Sequence, residues 1–161
     1  MLVKAIIDER FDDYKKPSMF IATCFCNWKC CIEGNYDLSV CQNYQTLCMP
    51  NIEISNQEIL DRYKRNSLTS AIVIGGLEPF FQISEIYDLI CLFRQNGIKD
   101  EFVIYTGYYP DEVANMIDKL KKTTTNIIIK FGRYIKDKPS KYDKLLGVTL
   151  ASDNQFAIKI C

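Results

Sequence analysis

The spacing of hydrophobic positions changes period along this chain. Residues 2–7 (LVKAII) and 18–24 (SMFIATC) read as strands, and Ala71-Ile72-Val73-Ile74 is a wholly apolar run ending on a glycine pair. A run of that kind suits a parallel strand buried on both faces. Residues 101–106 (EFVIYT) and 127–131 (IIIKF) read as further strands, and 156–160 as a last hydrophobic stretch. Between them the apolar positions fall at helical spacing. Ile59, Leu60 and Tyr63 form one face, on a helix opened by Ser55 with Glu58 three residues on and ending near Asn66. That pair has the form of a reciprocal capping box. Ile83, Ile86, Tyr87 and Ile90 give a second helix, from Ser84 through Asn96, with Gly97 to end it. A turn over 107–110 leads into a third, over 111–121.

Strand and helix alternate at least three times from residue 55 onward, the pattern of βαβ units and a mostly parallel sheet. Ligands of such sheets sit beyond the carboxyl ends of the strands. Cys24–Cys31, Gly75–Pro79 and Thr106-Gly107-Tyr108 each follow a predicted strand. Three segments are therefore expected to meet on one edge. Residues 25–51, rich in cysteine and turn formers, read as a long loop held by something other than a core. With no repeat, low-complexity stretch or linker, residues 1–161 read as one domain.

Charge and composition narrow the chemistry. Lys plus Arg and Asp plus Glu both number 20, so no net charge draws the chain to nucleic acid or an anionic membrane. No apolar run approaches the ~20 residues that span a bilayer, and MLVKAIIDER lacks a signal-peptide pattern. A cytoplasmic protein is expected. The absence of histidine excludes a Ser-His-Asp triad, a Cys-His protease and Cys2His2 zinc. Of eight cysteines, six (Cys24, Cys26, Cys30, Cys31, Cys41 and Cys48) are crowded together, while Cys91 and Cys161 stand apart. Crowding of this kind in a reducing compartment favours metal or redox chemistry over a disulfide scaffold.

Three thiolates leave one iron of a [4Fe–4S] cube open, because the cube ordinarily takes four. Cys26-x3-Cys30-x10-Cys41 supplies three, with Gln42-Asn43 after the last. Downstream lies Gly75-Gly76-Leu77-Glu78-Pro79. These residues resemble the radical S-adenosylmethionine (SAM) superfamily, specifically the small activases of anaerobic ribonucleotide reductase. The family pattern is Cys-x3-Cys-x2-Cys, so the second gap is longer here. The glycine turn is similar to the family's Gly-Gly-acid-Pro turn, with one residue inserted before Glu78. Val103–Tyr108 (VIYTGY) resembles the activases' aromatic-Thr-Gly-Tyr segment. Ile127–Tyr134, followed by Ser152-Asp153-Asn154-Gln155, resembles their last strand and terminal stretch, with Lys130-Phe131 where an acid usually precedes the glycine. The likeness runs in unbroken order over roughly residues 18–156.

The resemblance implies an α/β fold of radical SAM type, an incomplete parallel (βα) barrel in a single domain. It implies a [4Fe–4S] cluster on Cys26, Cys30 and Cys41, and SAM contacted by Gln42, Gly75, Gly76, Glu78 and Thr106. It further implies reductive cleavage of SAM to a 5′-deoxyadenosyl radical. The partner would be a glycyl radical enzyme such as an anaerobic ribonucleotide reductase, and the electron donor a flavodoxin or ferredoxin. The alternatives are a radical SAM enzyme acting on a small molecule or peptide, and a non-catalytic iron–sulfur or zinc protein.

Plainer roles stand beside these. Cys24 rivals Cys26 as first ligand and Cys31 rivals Cys30 as second, and either closes the metal site if it adds a fourth thiolate. Structural zinc also takes four thiolates, but Cys-x2-Cys knuckles are missing. Glu78 has the alternative of capping the next helix. Thr106 has that of simply ending a strand. Trp28 either shields the cluster or anchors its loop. Cys91 reads as a small buried hydrophobe, and Cys48 and Cys161 as spare thiols.

Overall fold

The computed structural model describes residues 1–161 apart from the side chain of Thr123. In chain order the elements are β1 (Leu2–Arg10), β2 (Ser18–Thr23), α1 (Lys29–Gly34), α2 (Tyr44–Cys48), β3 (Ile52–Glu53), α3 (Asn56–Arg65) and β4 (Ala71–Gly76). There follow α4 (Ile83–Gln95), β5 (Glu101–Tyr105), α5 (Ala114–Thr123), β6 (Ile127–Phe131), β7 (Lys141–Asp143), β8 (Val148–Leu150) and β9 (Phe156–Lys159). Seven strands form one sheet in the order β3-β1-β2-β4-β5-β6-β9. Its centre, β2-β4-β5-β6, is parallel, and its edges are antiparallel. The fold is mixed α/β, with a largely parallel sheet in a single domain.

The apolar run of β4 is divided between two cores. Ile72 and Ile74 join Ile21, Phe102, Ile104 and Ile129 beneath the helices, where α3 contributes Ile59, Leu60 and Tyr63, and α4 contributes Ile86, Leu89, Ile90 and Phe93. Ala71 and Val73 face the other way, against Val103, Ile128, Tyr14, Leu146 and Leu150. That explains the unbroken apolar stretch, since neither face of β4 meets water over residues 71–74.

Among the described residues, no helix covers this second face. The loop after β1 and the β7–β8 hairpin cover it instead, with Tyr14 1% exposed. Lys15 N–H donates to the Leu146 carbonyl at 2.7 Å, and the Asp143 carboxylate accepts from Leu145 and Leu146 N–H at 2.9 and 3.0 Å. The plug covers only the rows nearer the strands' amino ends. One row higher, Gly75, Tyr105 and Lys130 face open space.

The structure corrects several expectations. The cysteine segment is no structureless loop: it holds α1, a single 3-10 turn at Leu38–Val40, and α2. It is also pinned at its far end, where the Lys4 ammonium of β1 donates to the Met49 carbonyl at 2.6 Å. The third helix begins later than expected, since Pro110–Val113 is a 3-10 turn and α5 starts at Ala114. The β7–β8 hairpin is absent from the sequence reading, because three-residue strands are too short for alternation to register. The remaining helices match closely. Ser55 Oγ accepts from Glu58 N–H at 3.1 Å, and Glu58 Oε2 from Ser55 N–H at 3.0 Å, so the capping box is formed.

Candidate metal centre

The three segments expected on one edge do meet there. Leu77 N–H donates to the Thr23 carbonyl at 3.4 Å and Glu78 N–H to the Phe25 carbonyl at 2.7 Å, joining the β4 turn to the chain leaving β2. Thr106 Oγ1 donates to Glu78 Oε1 at 2.7 Å, and Gly107 N–H to Glu78 Oε2 at 2.9 Å, joining it to the end of β5. A cavity of about 460 Å³ opens above this edge. Cys26, Cys30, Cys41, Gln42, Gly75, Gly76, Glu78 and Thr106 all line it, and so does Cys31.

The four cavity thiols come from one excursion but reach it differently. Trp28 starts α1 in a left-handed conformation, φ 58°, and its N–H lies 3.2 Å from Cys26 Sγ as donor. A non-glycine residue in that region is strained, and such strain collects where a site demands a shape. The tight entry turns Cys26 back toward α1, which carries Cys30 and Cys31 with their sulfurs 3.9 Å apart. Cys41 closes the ring from the end of the 3-10 turn.

Interaction between the Cys30 and Cys41 thiols pulls Cys30 below the ordinary thiol range and pushes Cys41 above it. Burial raises Cys26 and Cys31. Cys24 is elsewhere: its N–H and Sγ both meet Gln82 Oε1, at 3.0 and 3.4 Å, and the side chain lies away from the cavity. Cys48 is exposed, and Cys91 and Cys161 are half-buried and remote from it.

Absent side chains shape the rest. A Cβ on Gly75 would stand 3.2 Å from the Phe20 ring and 3.5 Å from Tyr105 Cβ. The glycine leaves a cradle between two aromatic residues. Gly76 has φ +81°, and a Cβ there would stand 2.9 Å from Ala22 Cα, so the turn into Glu78 needs glycine on both counts. Glu78 is 5% exposed and also caps the following 3-10 turn, accepting from Phe80 N–H at 3.1 Å. Its capping role and its place on the cavity wall are thus compatible. Burial raises its carboxyl above the usual range, against three donors that favour the charged form.

Sequence reasoning missed Lys130 as a wall residue, noting it only as a departure from a pattern. It ends β6, is 7% exposed, and donates to the Gly132 carbonyl at 3.0 Å. Burial lowers its ammonium to about 8, opposed by the charges of Glu78 and Cys30. Lysine within an otherwise apolar strand was the available signal. Arg10 and Asp13 border the cavity's other end, where burial raises Asp13 to about 6. Nothing in the local sequence marks them, since Asp13 reaches the cavity from the plug.

An ion-pair clip holds α1 over this edge. Arg133, just past β6, meets Glu112 at 2.8 and 2.5 Å and Glu33 of α1 at 2.8 Å. Lys29 of α1 also pairs with Glu112.

Residues 15–156 match the model of a family described as a 4Fe-4S single cluster domain. The chain belongs to that family. No curated protein matches it. For a member of the 4Fe-4S single cluster family, the donor chemistry fits: four thiols line one cavity, and soft thiolates are the usual ligands of such clusters. Among the described residues, no three Cys, Asp or Glu side chains converge as ligands of one metal ion do. The thiols stand around a space instead. Also among the described residues, no helix is long and apolar enough to cross a membrane.

Proposed function

We propose that this chain is a radical SAM enzyme of the activase type, with Cys26, Cys30 and Cys41 holding a [4Fe–4S] cluster that has one iron open to SAM. The observation that carries the reading is the convergence of three thiols and the Gly75–Glu78 turn on one cavity, at the carboxyl edge of a parallel sheet. The parallel strands and their helices suit an incomplete (βα) barrel of radical SAM type spanning residues 1–161. With both groups bound, such a site supplies one electron to cleave the sulfonium carbon–sulfur bond of SAM, giving a 5′-deoxyadenosyl radical that abstracts hydrogen from a substrate.

The chain's own residues bind, orient and shield. Gly75 gives ligand atoms close approach to the sheet between Phe20 and Tyr105. Glu78 fixes the ends of β4 and β5 relative to each other and places a carboxylate on the wall, suited to an ammonium. Lys130 keeps a buried cation there, suited to a carboxylate. Gln42, beside Cys41, adds an amide to the same wall. Tyr14 and the β7–β8 hairpin close the lower side against water. The open upper side suits a protruding loop of a protein substrate. We take that substrate to be a backbone glycine of a glycyl radical enzyme of the anaerobic ribonucleotide reductase kind, with a flavodoxin or ferredoxin supplying the electron.

The test is 5′-deoxyadenosine formation by protein reconstituted anaerobically with iron and sulfide, then given a strong reductant and SAM. Product that disappears in Cys26→Ala, Cys30→Ala and Cys41→Ala supports the reading. A fully loaded cluster that neither binds nor cleaves SAM overturns it. A second reading, a closed and non-catalytic cluster, is favoured by one observation: Cys31 lines the cavity too.

A further inference from the structure

Cys31 is the thiol that the three-cysteine site does not use. It is 3% exposed, yet it belongs to neither apolar core. Burial of cysteine is ordinarily explained by packing as a small hydrophobe. Here its surroundings are other thiols: Cys30 Sγ lies 3.9 Å away, and Cys26 and Cys41 line the same cavity. Its backbone is fixed on both sides, with its N–H donating to the Trp28 carbonyl at 2.9 Å and its carbonyl accepting from Tyr36 N–H at 2.8 Å. Neighbouring helix positions point about 100° apart. Both thiols line one cavity, which therefore wraps around that side of α1. The helix is only six residues long and is bounded by left-handed residues, Trp28 at φ 58° and Asn35 at φ 50°. Cys24, the other spare thiol near the site, is held away from the cavity by Gln82.

We propose that Cys31 is an exchangeable fourth thiolate, which occupies the open iron when no ligand is bound and gives way to the incoming ligand. The proposal rests on the three-cysteine reading above and deepens it. The exchange is a ligand substitution without net electron transfer. The bond from iron to Cys31 sulfur breaks, bonds from iron to ligand nitrogen and oxygen form, and the released thiolate takes a proton from solvent. Cys31 would thereby protect an iron that three-cysteine sites leave exposed to oxidative loss.

The experiment compares wild type, Cys31→Ala, the near-isosteric Cys31→Ser, and Cys24→Ala, each reconstituted with 57Fe and sulfide and mildly oxidised with ferricyanide in the absence of SAM. Iron content and the paramagnetic signal of a three-iron cluster are read out. Wild type and Cys24→Ala are expected to keep all their iron, while Cys31→Ala loses about one iron per cluster. Adding SAM before the oxidant should change the Mössbauer parameters of one iron in the wild type. Equal iron loss in wild type and both Cys31 variants overturns the fourth-ligand role. Failure of both Cys31 variants to assemble any cluster, with Cys24→Ala intact, makes Cys31 a permanent ligand and overturns the exchange. Failure of the wild type itself to assemble a four-iron cluster overturns the three-cysteine reading, which is a separate and recognisable outcome.

Discussion

The Thr106 hydroxyl donates to Glu78 Oε1 across 2.7 Å, linking the ends of two neighbouring parallel strands through a buried carboxylate. The same hydroxyl oxygen accepts from Tyr108 N–H at 3.0 Å, so one side chain organises both the glutamate and the turn after β5.

Thr106→Val keeps the shape of this side chain and removes its hydrogen bonds. It leaves a partly buried Tyr108 N–H without its acceptor and the buried Glu78 with two donors instead of three. The expected cost is about 1–3 kcal/mol, the range for orphaning a buried polar group. Urea denaturation of the iron-free protein measures it; an unchanged midpoint would mean that the pair is dispensable.

Gly76→Ala and Gly97→Ala test two glycines of similar backbone conformation, φ +81° and +77°. The Gly97 variant meets nothing within 4 Å, so it should cost only the left-handed strain, about 1–2 kcal/mol. Gly76→Ala adds a collision with Ala22 backbone at 2.9 Å, which cannot be relieved by a rotamer change. It should cost more than Gly97→Ala and reduce cluster loading, measured as iron per chain. Equal costs at the two positions would refute the packing argument.

Lys130 predicts a pH dependence of known sign. Its folded value near 8 lies below the ordinary 10.5, so the folded chain binds the proton less tightly than the unfolded chain. The contribution of this group to stability therefore rises as pH climbs from about 8 to 10.5. A displacement of that size corresponds to about 3 kcal/mol. Lys130→Met abolishes it, so the stability difference between wild type and variant should change with pH across that interval. A constant difference would place the ammonium in water.

The clip on α1 should fail in acid. Arg133 beside Glu112 holds that carboxyl down to about 2. A lowered carboxylate contributes fully above its ordinary value of 4.5, and the contribution is lost as pH falls from there toward 2. Arg133→Gln should remove the same contribution at neutral pH. Amide hydrogen exchange in α1 is expected to quicken in the variant and, in the wild type, across that acid window. Protection that persists in both would mean that the clip is not what holds the helix.

Much of this architecture was legible from patterning. The apolar β4 run, the Ile59-Leu60-Tyr63 face and the Ser55–Glu58 cap are local features, and the structure forms each as expected. The eight candidate site residues came from the resemblance to the radical SAM superfamily, and all eight line one cavity. The α1 and α2 helices were not legible, because five- and six-residue segments held by ion pairs and a lysine–carbonyl bond carry no periodic signal.

The sequence by itself determined which residue types were available: thiols, no histidine, and glycines where strands end. It also determined the alternation that builds a parallel sheet, since strand and helix periods are set by neighbouring residues. Only the tertiary structure set Cys24 apart from the other cysteines near the site. Cys24 and Cys31 each stand one or two positions from a candidate ligand, and spacing cannot separate them. The last turn of backbone before α1 does so, sending Cys24 to Gln82 and Cys31 to the cavity. Lys130 and the Arg133 clip were likewise decided in three dimensions. Their significance depends on burial and on charges 21 to 100 residues away in the chain, such as Glu112 and Cys30.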